Sequence, residues 1–153
     1  MITSRRLFSK DQTGHEMNRL ISLYSGDLRN VKIWHGGKLL PFPRLPLDSA
    51  FDFVRRIPYR QDKKPIEVIA RPRTILKDRF LGMDCKKKAI LLGSYLKERN
   101  LPFRLVASSR LRNGRIHHVF PQVFLGQWLN FDATYSHYQP FEPKVLTRME
   151  VLQ

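Results

Sequence analysis

The sequence predicts an α+β fold in which a central helix packs on an antiparallel sheet. Two segments with the apolar spacing of helices, near residues 47–57 and 85–99, precede three strand-like segments between residues 103 and 134. Consecutive strands joined by short turns pair antiparallel, whereas a parallel sheet would need crossovers between them. With 153 residues, 42% of them hydrophobic, the chain is long enough for one domain with a sizeable core.

The chain divides into an N-terminal extension at residues 1–46 and a main domain at residues 47–153. Within the extension, VKIWHGGKLL predicts a β-hairpin that turns at Gly36-Gly37. The Pro-rich segment PFPRLPL, which ends at Leu47, predicts a connector. The residues before the hairpin show no clear period, so the sequence predicts no element there.

The first predicted helix begins at Leu47, is capped by Asp48 and ends near Pro58. Two further prolines make residues 60–80 a predicted loop, with one turn of helix near residues 74–77.

The second predicted helix runs from Cys85 to about Arg99 without a proline. Its apolar stripe consists of Ala89, Leu92, Tyr95 and Leu96, and two further apolar residues widen it. A stripe this broad is typical of a largely buried helix.

Three strands are predicted from FRLVASS, IHHVFPQVF and WLNFDAT, the last two joined through Gly126. A three-residue loop that ends on this glycine would close a hairpin. It would set these residues opposite each other: Gln122 and Trp128, Phe120 and Asn130, His118 and Asp132. Pro121 interrupts such a ladder and predicts an edge position or a bulge.

The net charge of +15, from 28 basic and 13 acidic residues, favours contact with polyanions without choosing a sequence. No apolar run approaches the roughly 18 residues of a membrane helix, and the start lacks the apolar region of a secretory signal. The single cysteine excludes an intramolecular disulfide.

Cys85, the only cysteine, stands where a helix is predicted to begin. The free N–H groups at a helix start favour the thiolate, which is the nucleophilic form of cysteine. Three lysines, residues 86–88, follow it in the same turn. They add positive charge next to a reactive thiol, or they form a solvated face beside an inert, packed cysteine. This segment alone leaves both interpretations open.

A nucleophilic thiol needs a base, and the base needs a group that orients it. The predicted hairpin sets His118 opposite Asp132, and opposed residues have Cβ atoms about 5 Å apart. A carboxylate there would fix the tautomer of the imidazole. An incidental cross-strand pair is one alternative. A two-residue Leu125-Gly126 turn is another, because it would shift the pairing by one residue and break this arrangement. His117 faces the other side of the strand.

These segments together carry a family resemblance. DCKKKAILLGSYLKERNLPFRLV and HVFPQVFLGQWLNFDAT contain an Asp-Cys at a helix start, a His-x-aromatic-x-x-Val strand and a Trp-x-x-x-Asp-x-Thr strand. In this order and spacing, the chain resembles the transglutaminase-like superfamily of papain-related cysteine enzymes. The resemblance covers residues 47–134.

The resemblance implies a papain- or transglutaminase-like core in which the central helix bears the cysteine and the sheet bears the histidine and aspartate. It implies Cys85 as nucleophile, His118 as general base and acid, and Asp132 as the orienting carboxylate. The implied reaction attacks an amide carbonyl of a peptide or protein and passes through a thioester. Water as acceptor gives a peptidase or amidase, and an amine gives a transglutaminase. Neither a cofactor nor a metal is expected.

The chain departs from the family pattern around this triad, with Met83 before the Asp-Cys pair and Phe120, Gln122 and Ala133 at later motif positions. The backbone N–H of Cys85 is one predicted donor to an oxyanion. The candidates for a second donor or for pocket walls are Gln122, Trp34, Asn30, Gln61, Tyr59, Trp128 and Phe120.

A non-enzymatic module is the competing hypothesis. The charge of +15 suits a basic structural protein near nucleic acid. Compact domains similar to this family occur among virion proteins of tailed bacteriophages, which is an analogy of fold. The expected location is cytoplasmic or virion-associated.

Overall fold

The fold is given by a computed structural model that describes residues 2–5, 10–62 and 67–153, with side chains for residues 12–62 and 69–153. The helices are α1 (Lys10–Tyr24), α2 (Leu47–Arg55), α3 (Pro72–Lys77) and α4 (Cys85–Glu98). The strands are β1 (Ile2–Arg5), β2 (Lys32–His35), β3 (Lys38–Pro41), β4 (Glu67–Ala70), β5 (Phe103–Ser109), β6 (His118–Phe124), β7 (Trp128–Asn130) and β8 (Arg148–Val151). Residues 63–66, part of the predicted loop, lie outside the described residues.

Helix α4 is the centre of the core, as the sequence predicts. All of its residues from Lys88 to Leu96 are buried. Helix α1 packs against it, and Gly93 permits the close approach because an added Cβ would lie 2.7 Å from the Ile21 side chain. Helix α1 was not predicted, since the first half of KDQTGHEMNRLISLY is too polar to show a period. Its apolar residues Met17, Leu20 and Ile21 belong to the same core as α4.

The main sheet has the order β7-β6-β5-β8, and its neighbouring strands are antiparallel, which confirms the predicted fold class. The face toward α4 is apolar, with Leu105, Ala107, Val119 and Val123 in the core. Strand β8 was not predicted because only one of its four residues is even half-buried. The predicted β2–β3 hairpin is confirmed, and Gly36 and Gly37 both adopt the positive φ that its turn requires.

The predicted register of the β6–β7 hairpin is wrong by two residues. The observed pairs are Gln122 with Asn130, Val123 with Leu129, and Phe124 with Trp128. The loop is therefore 125–127, closed by a bond from the Leu125 N–H to the Gln127 carbonyl of 3.0 Å. Because side chains alternate with a period of two, this shift still leaves His118 and Asp132 on the same face of the sheet, as predicted.

Pro121 lies in an interior strand, not at the predicted edge or bulge. Its carbonyl accepts the N–H of Phe131 at 2.9 Å, just beyond the end of β7. The N–H that proline lacks would point to the same side, just beyond the end of β7, so only one further bond is missing there. The strand therefore loses little by carrying proline there.

Residues 58–60 run alongside Met83 and reach the start of α4. The Met83 N–H donates to the Pro58 carbonyl at 2.8 Å, and the Arg60 N–H donates to the Met83 carbonyl at 2.9 Å. Gly82 makes this approach possible, since its φ is 91° and an added Cβ would lie 2.8 Å from the Arg60 Cβ. This packing brings Tyr59 beside the helix that begins at Cys85.

The predicted cap of α2 is wrong. Pro46 precedes the helix without a side-chain hydrogen bond, and Asp48 lies within the first turn, where it accepts the Ser49 N–H at 2.9 Å. The turn of helix predicted near residues 74–77 is confirmed as α3. None of the helices in the described part of the chain is long and apolar enough to cross a membrane.

Candidate active site

The start of α4 is fixed by Asp84, which is 1% exposed. Its Oδ1 accepts the Lys87 N–H at 3.0 Å, and the ammonium of Lys86 lies 2.6 Å from its Oδ2. Burial raises the pKa of Asp84, although the charge of Lys86 opposes this. An aspartate cap satisfies a free N–H group of the first turn and defines where the helix begins. Cys85 is thereby held as the first residue of α4, with partial exposure to solvent.

His118 and Asp132 meet beside this cysteine. The Nε2 of His118 lies 2.7 Å from the Oδ2 of Asp132, and the two side chains are 12% and 3% exposed. Cys85 lies close enough to the same imidazole to raise its pKa. Since Nε2 faces the carboxylate, the second ring nitrogen is the one left for the thiol. The imidazole is thus bonded to the carboxylate and adjacent to the cysteine.

Asp132 is held on both of its oxygens. Its Oδ1 accepts the backbone N–H of Thr134 at 3.1 Å and the Thr134 hydroxyl at 2.5 Å. Its Oδ2 lies 2.8 Å from the Nζ of Lys144, in addition to the bond with His118. The lysine side chain is 4% exposed. The carboxylate is therefore fixed in position before any ligand binds.

The protonation states follow from this arrangement. Burial lowers the pKa of His118, but hydrogen bonds to Asp132 and Cys85 outweigh it and raise that pKa to about 9. Burial raises the pKa of Asp132, but bonds from His118 and the charge of Lys144 outweigh it and lower that pKa to about 2. The ordinary histidine pKa is about 6.5. The raised pKa of His118 therefore contributes stability that is fully present below about pH 6.5 and is lost as the pH rises through about 9. The lowered pKa of Asp132 contributes stability that is present above its ordinary pKa of about 3.9 and is lost as the pH falls toward about 2.

The interpretation of the three lysines as a solvated face is wrong. Lys88 is 1% exposed, and its Nζ donates to the carbonyls of Ile57 at 2.6 Å, Ala133 at 3.2 Å and Thr134 at 2.8 Å. Burial lowers the pKa of Lys88 to about 8. This ammonium ties α4 to the backbone that carries Asp132 and to the end of α2. Lys86 is paired with the carboxylate of Asp84, and Lys87 lies 3.2 Å from that of Asp62.

Replacing Lys88 with Met is expected to lower the free energy of unfolding by about 2 kcal/mol near neutral pH, because three buried carbonyls lose their donor. Denaturant unfolding measures this. Since burial lowers the pKa of Lys88, the free energy of unfolding of the wild type should rise relative to that of the variant as the pH rises from about 8 toward 10. Lys97→Met is the matched control, because Lys97 bonds the Ser22 carbonyl at an exposed position. An equal loss in both variants would contradict the structural role of Lys88.

The predicted pocket residues are distributed over the molecule. Phe120 stacks on His118 with ring centroids 5.6 Å apart and is buried at the site. Gln122 and Trp128 lie at the far end of β6, where the Gln122 amide bonds Arg104 and Asn130. The ring of Trp34 is 70% exposed on the β2–β3 hairpin and lines a groove beside α2.

Of the upstream candidates for an oxyanion donor, Tyr59 is the one that lies near Cys85. It interacts electrostatically with Cys85, and its ring packs at 4.9 Å from that of Tyr135. Burial raises the pKa of Tyr59, so its hydroxyl keeps its proton at neutral pH. Gln61 follows two residues later and is exposed, whereas Asn30 is exposed at the end of a 3-10 turn that follows α1.

Two residues next to Cys85, His118 and Asp132 were missed from the sequence. Lys144 lies in the C-terminal segment, outside the family resemblance, and no spacing rule connects it with Asp132. Tyr135 follows the Asp-x-Thr motif directly and had no pattern of its own. The described residues contain no cluster of three His, Cys, Asp or Glu side chains suited to a metal ion.

Comparison with solved structures identifies a related fold. The chain is similar to a putative cysteine protease from Cytophaga hutchinsonii, with a TM-score of 0.50 and 14% sequence identity. The match covers 88% of this chain and 42% of that protein, so the chain spans less than half of its length. At this identity the likeness shows a shared cysteine-protease-like fold alone. A scan against protein-family models and a search of curated proteins found no match to the chain.

Proposed function

We propose that the chain is a cysteine-dependent amide hydrolase or acyltransferase with Cys85 as nucleophile, His118 as general base and acid, and Asp132 as the orienting carboxylate. The hydrogen bond between His118 and Asp132, with Cys85 beside the imidazole, carries the proposal. The order of the transglutaminase-like motifs and the likeness to a cysteine-protease fold support it. Each member has the chemistry its role requires: a thiol, an imidazole with two partners, and a buried carboxylate.

In the first half of the reaction, the Cys85 thiolate attacks the carbonyl carbon of an amide and forms a tetrahedral adduct. Backbone N–H groups at the start of α4, with the Tyr59 hydroxyl as a second donor, stabilise the oxyanion. The C–N bond breaks as the His118 imidazolium gives its proton to the leaving amine. A pKa of about 9 keeps this imidazolium protonated at neutral pH. The product of this half is a thioester on Cys85 and a free amine.

In the second half, water or an amine attacks the thioester carbonyl. The neutral His118 takes a proton from the attacking group, and the thiolate leaves as the C–S bond breaks. Water releases a carboxylic acid, whereas an amine gives a new amide. Both routes restore the thiolate–imidazolium pair and need no cofactor.

The test is acyl transfer to the protein from a panel of peptide amides, glutamine-containing peptides and nitrophenyl esters. Intact-mass analysis of quenched reactions should show one adduct with the mass of the acyl group, located on Cys85 by peptide mapping. Addition of a primary amine at millimolar concentration distinguishes transfer from hydrolysis by its product. An acyl adduct on lysines alone, with Cys85 unmodified for every donor, would rule out the thioester mechanism.

Polyanion binding without catalysis is the second candidate function. The net charge of +15 favours it, as does a groove of about 540 Å³ that Arg29, Arg44 and Arg99 line together with one glutamate. Affinity for a DNA duplex should then fall steeply as salt increases, because bound phosphates release counterions. A slope near zero in a plot of log affinity against log salt would argue against it.

A further inference from the structure

Lys144 is a buried cation that the catalytic proposal leaves without a role. Its Nζ lies 2.8 Å from the Oδ2 of Asp132, the same oxygen that bonds His118. The ammonium also lies over two rings, 4.1 Å from the centroid of Tyr138 and 5.0 Å from that of Phe120. Its side chain is 4% exposed, so solvent screens this charge little.

We propose that Lys144 is a positioning residue of the site that acts through Asp132: by sharing the carboxylate oxygen, its positive charge limits the basicity of His118. Two cations compete for one oxygen, so each weakens the stabilisation that the carboxylate gives the other. The carboxylate does not need Lys144 for its placement, because Thr134 holds Oδ1 with two hydrogen bonds. Lys144 is therefore not needed to hold the carboxylate in place, and its effect on the site is electrostatic.

The other charged and titratable groups around the pair are few. Those facing His118 or Asp132 from the packed elements are Cys85, Lys88, His117, Tyr138 and Lys144. Burial lowers the pKa of His117 and raises that of Tyr138, so both are neutral at pH 7. Lys88 bonds backbone carbonyls and not the carboxylate. Within the described residues, Lys144 is therefore the cation placed to compete directly with the imidazolium.

The consequence for catalysis rests on the proposed function. His118 must release its proton to the leaving amine and then accept one from the incoming nucleophile. An imidazole that is too basic retains its proton and slows the first of these transfers. A neighbouring lysine that lowers its basicity would bring it closer to the operating pH.

The experiment titrates the His118 ring by NMR in Cys85→Ala, with and without Lys144→Met, after assignment with His118→Gln. Without the thiol, the result does not depend on whether Cys85 reacts, so failure of this inference and of the proposed function remain distinguishable. Removal of Lys144 should raise the apparent pKa of His118 by about one unit. Lys144→Arg should restore the parent value, and Lys97→Met should not change it.

Two results would overturn the inference. An unchanged pKa in Lys144→Met would show that the lysine charge does not reach the imidazole. A lower pKa would show that Lys144 chiefly orients Asp132, since a displaced carboxylate supports the imidazolium less. If the Met variant does not fold, Lys144→Gln, which keeps a hydrogen-bond donor without the charge, is expected to show the same rise, and no rise there would overturn the inference.

Discussion

Replacing Cys85 with Ala is expected to abolish turnover of every acyl donor that the wild type accepts, a loss of at least about 10⁴-fold. The reason is that the thiol forms the covalent bond on which both half-reactions depend. Initial rates at saturating donor, together with intact-mass analysis for the missing thioester, measure the effect. Cys85→Ser should lose nearly as much, because a hydroxyl at the same place is a far weaker nucleophile at neutral pH.

The fold must survive for this loss to be informative. Cys85 is the first residue of α4, where it is partly exposed and packs at the margin of the core. The free energy of unfolding of the Ala variant should therefore be within about 1 kcal/mol of that of the wild type. Activity that persists at the wild-type level in a folded Cys85→Ala protein would exclude the thioester mechanism.

Replacing Asp132 with Asn should have the second largest effect, a loss of about 10³- to 10⁴-fold in kcat/KM. The amide keeps the size of the carboxylate but cannot stabilise the imidazolium or select its tautomer. Lys144 would also lose its anionic partner while it remains buried. The free energy of unfolding should therefore fall by about 3 kcal/mol as well.

Asp52→Asn is the matched control for this substitution. Asp52 pairs with Arg55 and Arg56 on α2 and is 34% exposed, so the same chemical change occurs where solvent screens the charges. Asp52→Asn should lower the free energy of unfolding by less than about 1 kcal/mol and leave kcat/KM unchanged. Equal losses of activity in the two Asn variants would mean that Asp132 has no special part in the reaction.

Helices α2 and α4 and strands β5, β6 and β7 could be predicted because their sequences have strong periods. The broad apolar stripe of α4 and the alternation in β5 define those elements within about a residue. The elements that were missed lack such periods. Helix α1 is polar at its start, and β8 is held by pairing with β5 and presents little apolar surface. Long-range pairing of that kind has no local signal in a sequence.

The juxtaposition of His118 and Asp132 was predicted from a register that was wrong. The predicted contact is nevertheless observed. The register was wrong by an even number of residues, so both side chains stay on the same face of the sheet. Asp132 lies beyond the last paired residue of β7 and reaches His118 from an irregular segment. A local hairpin rule could not describe that segment.

Lys88 shows how charge can obscure a helical pattern. It lies four residues before Leu92 on the buried side of α4, so spacing alone would have placed it inside. Its charge suggested that the side chain is exposed to solvent. In the structure, three backbone carbonyls from distant segments accept hydrogen bonds from the buried ammonium. Those partners come from residues 57, 133 and 134, and nothing in the sequence connects them with Lys88.

The alkylation rate of Cys85 as a function of pH tests the central claim most directly, because this is the only thiol in the chain. Iodoacetamide labelling would be followed in the folded wild type, in folded His118→Gln and in the denatured chain. If His118 and Asp132 activate the thiol, the folded wild type should react at about pH 6 at least about tenfold faster than the other two samples. A folded wild type that reacts no faster than the denatured chain at any pH would contradict the claim and show a packed, inert cysteine.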